Sequence, residues 1–205
     1  MDAKRPEDWE EKTIGYYDQH VETFTALTLH VDMGSLYQSF LSHLPKDAHI
    51  LDAGCGVGRD SKYFLEQGFQ VTAIDASVEM VNTASRITGQ QAHQKTFLEL
   101  EYKEKFEGIW ACASLLHLPK HELPEVLKKL LNALRKQGIL YASFKRGTRE
   151  GVYNDRFFAD FEANELQKQF EHFSHIQILK TWETLDSRPE RPGEYWVNIL
   201  VQKVA

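Results

Sequence analysis

Between His49 and Phe144 the chain alternates short apolar runs with stretches whose apolar positions recur every three or four residues. "HILDA", "FQVTAID", "FEGIWACAS" and "ILYASF" are short, apolar and bounded by polar or glycine residues, which predicts strands; the third is apolar enough to be buried on both faces. "SKYFLEQG" reads as a helix ended by Gly68 in a left-handed cap. "SVEMVNTASRITG" reads as a second helix, opened by Ser77 as N-cap and closed by Gly89. Leu123, Val126, Leu127, Leu130, Leu131 and Leu134 recur at helical steps and predict an amphipathic helix that stops near Gly138. "KTFLEL" carries a weaker strand signal. Upstream, "SLYQSFLSHL" places Leu36, Phe40, Leu41 and Leu44 at helical spacing, closed by Pro45. Downstream come a polar loop, "KRGTREGVYNDR", a helix around "FEANELQKQF", and two strands, "HIQILKTWETL" and "YWVNILVQK", joined by a Pro/Gly-punctuated loop.

Strand and helix in alternation predict an α/β fold with a doubly wound parallel sheet. Two final strands joined without a helix predict an antiparallel pair at its end. The expected organisation is an N-terminal helical extension (1–45) ahead of one domain (46–205), within what one core can support at 205 residues. A net charge of −6, from 24 basic and 30 acidic side chains, gives no support for wholesale binding to nucleic acid or an anionic membrane. No run approaches the ~18 apolar residues of a membrane span. The N-terminus is charged rather than signal-like. Cys55 and Cys112 stand far apart and read as reduced thiols, which favours a cytoplasmic protein. No metal-ligand set is expected, and the oligomeric state stays open.

The stretch "LDAGCGVGRD" concentrates the candidate chemistry. Gly54, Gly56 and Gly58 fall where the first strand hands over to a helix, the corner at which open α/β sheets bind ligands. Amides at the helix N-terminus favour an anionic group. A nicotinamide dinucleotide usually brings G-x-G-x-x-G; here the spacing is G-x-G-x-G, and the acid Asp60 would repel a pyrophosphate. A ligand with a carboxylate for the amides and an ammonium for Asp52 fits better, and S-adenosylmethionine has both. Asp75, closing the second strand ~20 residues on, suits ribose hydroxyls in either ligand class.

These residues resemble the class I S-adenosylmethionine-dependent methyltransferases. "ILDAGCGVGRDS", "VTAIDAS", "FEGIWACASLLHLP" and "LRKQGILYASF" match that family's motifs in order, from about His49 to Phe144. "GIWACASLLHLPK", "SFKRG" and "WVNILVQK" are similar, more narrowly, to a small bacterial subgroup grouped with tellurite-resistance methyltransferases. The resemblance implies a Rossmann-like sheet of seven strands, mostly parallel, with an antiparallel last strand. It implies that Asp52, Gly54, Cys55 and Gly56 hold the methionine end, with Arg59 helping to place the carboxylate. Asp75 would take the ribose with Ala76 beside it, and Met80 would pack near the adenine. Phe97 stands where relatives contact the adenine, as a ring contact or as core. Ser114 would border the transferred methyl.

Transfer from an activated sulfonium needs mainly alignment and exclusion of water. His117 is the titratable side chain of the fourth motif, a candidate base or a wall of the site. Lys145, Arg146, Arg149 and Arg156 form a basic loop, either solvated or a clamp for an anionic acceptor. Tyr16, Tyr17 and Phe24 would close over the site as a lid or anchor the extension, and Trp182 and Trp196 are expected in the core of the terminal strands. The leading expectation is methyl transfer from S-adenosylmethionine to a small, anionic molecule. The alternatives are a tRNA or protein acceptor, an NAD-dependent oxidoreductase, and a nucleoside-binding module without turnover.

Overall fold

The computed structural model describes residues 8–188 and 190–204 of the chain. Three helices lead, α1 (Asp8–Gln19), α2 (Val21–Thr28) and α3 (Gly34–Leu41). The alternating section follows as β1 (His49–Ala53), α4 (Arg59–Glu66), β2 (Gln70–Asp75), α5 (Val78–Thr88), β3 (His93–Gln94), β4 (Phe106–Ala111), α6 (Leu123–Ala133) and β5 (Leu134–Lys145). A hairpin, β6 (Glu150–Tyr153) and β7 (Arg156–Ala159), precedes α7 (Ala163–Glu171), β8 (Ile176–Leu185) and β9 (Tyr195–Lys203).

Seven strands form one sheet in the order β3-β2-β1-β4-β5-β9-β8. β1 pairs in parallel with both β2 and β4, so the winding direction reverses at β1/β4, with Asp52 beside Trp110. β9, last in the chain, runs antiparallel to β5 and to the edge strand β8 and sits between them. This is the doubly wound, Rossmann-like sheet with an antiparallel last strand and leading helices that the residue pattern and the resemblance predict.

Both faces of the sheet are covered, which is why its central strands read as continuous apolar runs. On one face Leu51, Ile109 and Leu140 pack with Val126, Leu127 and Leu130 of α6. On the other, Ile50, Trp110 and Tyr141 pack with Tyr37 and Phe40 of α3 and Phe64 of α4. Trp110 and Tyr141 stack at 4.1 Å between ring centres. Trp182 is half-buried against this second cluster.

Three elements differ from the sequence reading. The strand expected in "KTFLEL" falls instead just before it, at His93–Gln94, because Thr96 and Glu99 form a reciprocal cap that winds Phe97–Glu99 into a 3-10 turn. α6 ends at Ala133 rather than near Gly138: Leu134 turns extended and is fully buried, and Gln137 takes φ +65° in the bulge before β5 pairs regularly. The polar loop contains a two-stranded hairpin instead. Asn154 and Asp155 both adopt positive φ (+49° and +60°), which makes a two-residue turn whose twist matches the strands.

Candidate functional site

The switch point opens into a cavity of about 640 Å³, walled by the carboxyl ends of the strands and roofed by α1 and α2. That volume falls within the ~300–1,000 Å³ of small-molecule sites. Its lining includes the glycine loop, Asp75, Ala76, Met80 and Phe97, and also Tyr17, His117, Lys145, Arg156, Phe158 and Ser114.

The backbone of the loop needs its glycines. Gly54, Gly56 and Gly58 have φ of +81°, +53° and +85°. A Cβ on Gly54 would fall 2.4 Å from the Cβ of Ser114, and one on Gly58 would fall 3.0 Å from the Cα of Ala84. Gly54 therefore lets the loop lie against the wall after β4, and Gly58 lets α4 start tightly against α5. Ser114 is pinned in that wall by donating to the Ala53 carbonyl at 2.6 Å.

Asp75 organises the loop from the neighbouring strand. Its carboxylate accepts from the amides of Gly56 at 2.8 Å and Ser77 at 3.0 Å. Burial pushes its pKa upward against the pull of those amides. Ser77 caps α5 by accepting from the Met80 amide at 3.1 Å, and donates to Asp18 of α1 at 2.6 Å. Met80 is buried yet reaches the cavity, and the Phe97 ring tip lies 3.5 Å from the Cβ position of Gly54.

Asp52 departs from its expected place. It is 1% exposed, takes no part in the cavity wall, and accepts from Ser61 of α4 at 2.6 Å. Burial, with the nearby Asp60 charge, pushes its pKa up to about 8. The strand turns this side chain under the loop, into the sheet–helix interior. Asp60 does line the cavity, but its carboxylate is taken up by neighbouring side chains. Its oxygens accept from Arg59 at 2.6 and 3.0 Å, Tyr37 at 2.5 Å and Trp110 at 2.8 Å. Arg59 lines the cavity with its charge answered by that carboxylate, and the pair holds the Asp60 pKa low despite burial. The thiols of Cys55 and Cys112 are free, and burial pushes both upward, Cys112 to about 12.

His117 is locked rather than free. Its Nδ1 lies 2.6 Å from the Phe157 carbonyl, which can only accept, so Nδ1 carries the proton. Nε2 therefore accepts from the Tyr17 hydroxyl at 2.7 Å. Burial lowers its pKa to about 4, with Arg156 and Lys145 adding repulsion of the charged form. With both nitrogens engaged, His117 stands in the cavity wall and meets a proton from the cavity through Tyr17 in this arrangement. Tyr17 is buried, which raises its pKa, while Arg156 lowers it.

The same contacts dock α1. Thr13 accepts from the Phe157 amide at 2.9 Å, and Trp9 lies 5.2 Å from Phe157, ring to ring. Tyr17 also meets Phe24 of α2 edge-on.

Most of the basic loop is neutralised. Lys145 pairs with Glu194 at 2.6 Å, Arg146 with Glu183 at 2.7 Å and Arg149 with Asp160 at 2.6 Å. Arg156 has no carboxylate partner among the described residues, and its Nε is buried without an acceptor. Trp196 packs against the core of the terminal strands as expected, and also lines the cavity and donates to Asp186 at 3.1 Å. The pattern gave no sign of Phe158, Asp18 or the Asp186–Arg188 stretch as cavity or docking residues. The turn pair Asn154–Asp155 was the available signal for the hairpin that brings Phe158 in.

Residues 50–138 match the family described as Methyltransferase domain. Among curated proteins the chain is 32% identical to YqeM of Bacillus subtilis, a methyltransferase by name, over 62% of this chain and 60% of that one. It is 33% identical to malonyl-[acyl-carrier protein] O-methyltransferase of Salmonella typhimurium, over 45% of this chain and 37% of that one. The chain thus spans less than two thirds of either relative. Its fold is similar to that of Burkholderia thailandensis 1,6-didemethyltoxoflavin-N1-methyltransferase, solved with 1,6-didemethyltoxoflavin and S-adenosylhomocysteine. The TM-score is 0.76 at 23% identity, covering 100% of this chain and 94% of that one. A TehB-like S-adenosylmethionine-dependent methyltransferase from Corynebacterium glutamicum gives a TM-score of 0.70 at 17% identity, covering 92% and 98%. At these identities the structures show a shared fold.

Proposed function

We propose that the chain is a class I S-adenosylmethionine-dependent methyltransferase that transfers the methyl group of S-adenosylmethionine to a small anionic acceptor. The observation that carries this reading is one cavity lined both by a glycine loop with Asp75 and by an arginine without a carboxylate partner among the described residues. The residues fit the methyl donor. The loop from Gly54 to Val57 offers backbone without obstructing side chains, Asp75 offers a carboxylate for ribose hydroxyls, and Met80 and Phe97 offer apolar faces for a purine. Gly54, Cys55, Gly56, Asp75, Ala76, Met80 and Phe97 hold it in this reading, with Arg59 beside the loop. Once bound, the donor supplies an electrophilic methyl on a positively charged sulfur.

The chain's own residues align and enclose. Ser114, fixed by the Ala53 carbonyl, forms part of the wall. Tyr17 commits its proton to His117 and its oxygen is met by the Arg156 guanidinium, so that His117, Tyr17 and Arg156 form one linked group facing the acceptor. Arg156 attracts the acceptor's charge, and Lys145 shapes the wall while paired to Glu194. The leading helices work as a lid on the domain that follows: α1 and α2 exclude water, which strengthens every charge interaction beneath them. Cytoplasmic residence fits this reading; among the described residues no helix is long and apolar enough to cross a membrane.

The test follows radiolabelled methyl from S-adenosylmethionine into a panel of small thiols, amines, carboxylates and oxyanions, alongside bulk tRNA and protein. Label in an anionic small molecule is expected. Label confined to the tRNA or protein fraction would overturn the choice of acceptor.

A further inference from the structure

Much of what surrounds Arg156 comes from α1. The guanidinium carbon lies 4.2 Å from the ring centre of Tyr16 and 6.0 Å from that of Tyr17. The Tyr17 hydroxyl donates to His117 at 2.7 Å, and Thr13 accepts from the Phe157 amide at 2.9 Å. The Phe157 carbonyl in turn accepts from His117 Nδ1 at 2.6 Å. Thr13, Tyr16 and Tyr17 recur at three- and four-residue steps, so they share one face of α1, and that helix packs against β7. One helix therefore holds Arg156, Phe157 and His117 in register. Without it the cation loses two rings and the imidazole loses one of its two partners.

Asp18 stands on the flank of the same helix and reaches α5 instead. Its Oδ1 accepts from the Ser77 hydroxyl at 2.6 Å and from the Glu79 amide at 3.2 Å. A carboxylate in the last turn of α1 opposes that helix's own dipole, but over the first amides of α5 it is favourably placed. Its gain therefore comes from docking α1 onto α5. Ser77 serves three neighbours at once. Its hydroxyl donates to Asp18, the same oxygen accepts from the Met80 amide at 3.1 Å, and its amide donates to Asp75 at 3.0 Å. The other Asp75 oxygen accepts from the Gly56 amide at 2.8 Å. An unbroken run of hydrogen bonds leads from the glycine loop through Asp75 and Ser77 to Asp18, and α1 continues it to Phe157 and His117.

We infer that α1 is a strap that couples the two ligands, with Asp18 as the positioning residue that ties it to the donor. A donor whose ribose hydroxyls occupy Asp75 immobilises the turn that presents Ser77, so the freedom of that turn is already lost when α1 docks. The docked helix then fixes Arg156, Phe157 and His117 for the acceptor. The donor binds first and raises the affinity for the acceptor, and by reciprocity a docked α1 raises the affinity for the donor. The identity of the ligand at Asp75 rests on the methyltransferase reading; the path from Asp18 to Phe157 rests on the hydrogen bonds.

The Phe157 amide is the reporter, because its proton is bonded to a side chain of α1. Hydrogen exchange is followed by NMR at Phe157 and at Leu140, a fully buried residue of β5 that reports global opening. S-adenosylhomocysteine at saturation is the probe. In wild type it should slow Phe157 at least tenfold more than Leu140. In Asp18→Ala the slowing at Leu140 should persist while the extra slowing at Phe157 falls below twofold. Asp18→Asn, which keeps an oxygen for Ser77, should restore at least half of the logarithmic effect. Loss of fold would speed both amides together, so the ratio separates a strap from a general prop. The same extra slowing in wild type and Asp18→Ala, or none in wild type that binds the probe, would overturn the proposal. Failure of wild type to bind S-adenosylhomocysteine would sink the methyltransferase reading instead. The ligand-free comparison then judges the strap: Asp18→Ala should speed Phe157 at least fivefold relative to Leu140, and equal rates would overturn it.

Discussion

At the scale of single residues, the two aspartates of β1 and β2 illustrate how much a side chain's direction matters. Asp75 faces the cavity and accepts from the loop amides, whereas Asp52 points under the loop to Ser61. Asp75→Asn should weaken S-adenosylmethionine binding at least tenfold, about the 1.5–3 kcal/mol of a charge-assisted hydrogen bond. Asp52→Asn should leave affinity within threefold, because its carboxyl takes no part in the cavity wall and is turned to Ser61. Calorimetry on both variants checks the pair, and equal losses would return Asp52 to the ligand. His117 gives a second test. Its native pKa, near 4, lies below the ordinary value of 6.5. Between those values the unfolded chain binds a proton that the native state refuses, so this residue lowers stability as pH falls from 6.5 toward 4. The loss is on the order of 2–3 kcal/mol. Urea unfolding of His117→Gln and wild type at pH 5 and pH 8 should show a smaller acid penalty in the variant; identical pH dependence would mean that His117 is charged in the native state. The sequence disclosed which residue types gather here but not their directions. Asp52 and Asp75 both end apolar strands, and only the packing of α4 under the loop separates them.

At the scale of elements, the strands and helices with strong periodicity were legible because burial on two faces leaves a continuous apolar run. The hairpin was not, since Val152 and Tyr153 on its outer strand are exposed and only Phe157, Phe158 and Ala159 face inward. The premature end of α6 was hidden for a related reason: Leu134 keeps the helical spacing while serving a strand. The glycine loop makes a sharper prediction. Gly54→Ala combines a positive φ with a 2.4 Å approach to Ser114 and should cost on the order of 2–4 kcal/mol. Gly89→Ala, with φ +70° and open space around it, should cost about 1 kcal/mol. Equal costs in chemical denaturation would show that Ser114 yields. For the lid, α1 is joined to the domain through Thr13, Tyr17 and Asp18. If it closes over the bound donor, its amides should exchange more slowly with S-adenosylhomocysteine present. Unchanged exchange would make α1 a fixed anchor.

At the scale of the whole molecule, a reversal of winding direction between β1 and β4 creates one cleft, and the leading helices cover it. That architecture was readable from the alternation of apolar runs, and the place of the cleft from the glycines and Asp75. The basic side of the cleft was readable only in part. Four basic residues were visible in one loop, but which of them keeps a free charge depends on Glu183, Glu194 and Asp160, two of them distant in sequence. The claim on which everything else stands is that this cleft binds the methyl donor. Titration of S-adenosylhomocysteine into the purified chain tests it most directly. One saturable site per chain, of about micromolar affinity or tighter, is the predicted result. Absence of binding, with saturable binding of NAD in its place, would contradict it.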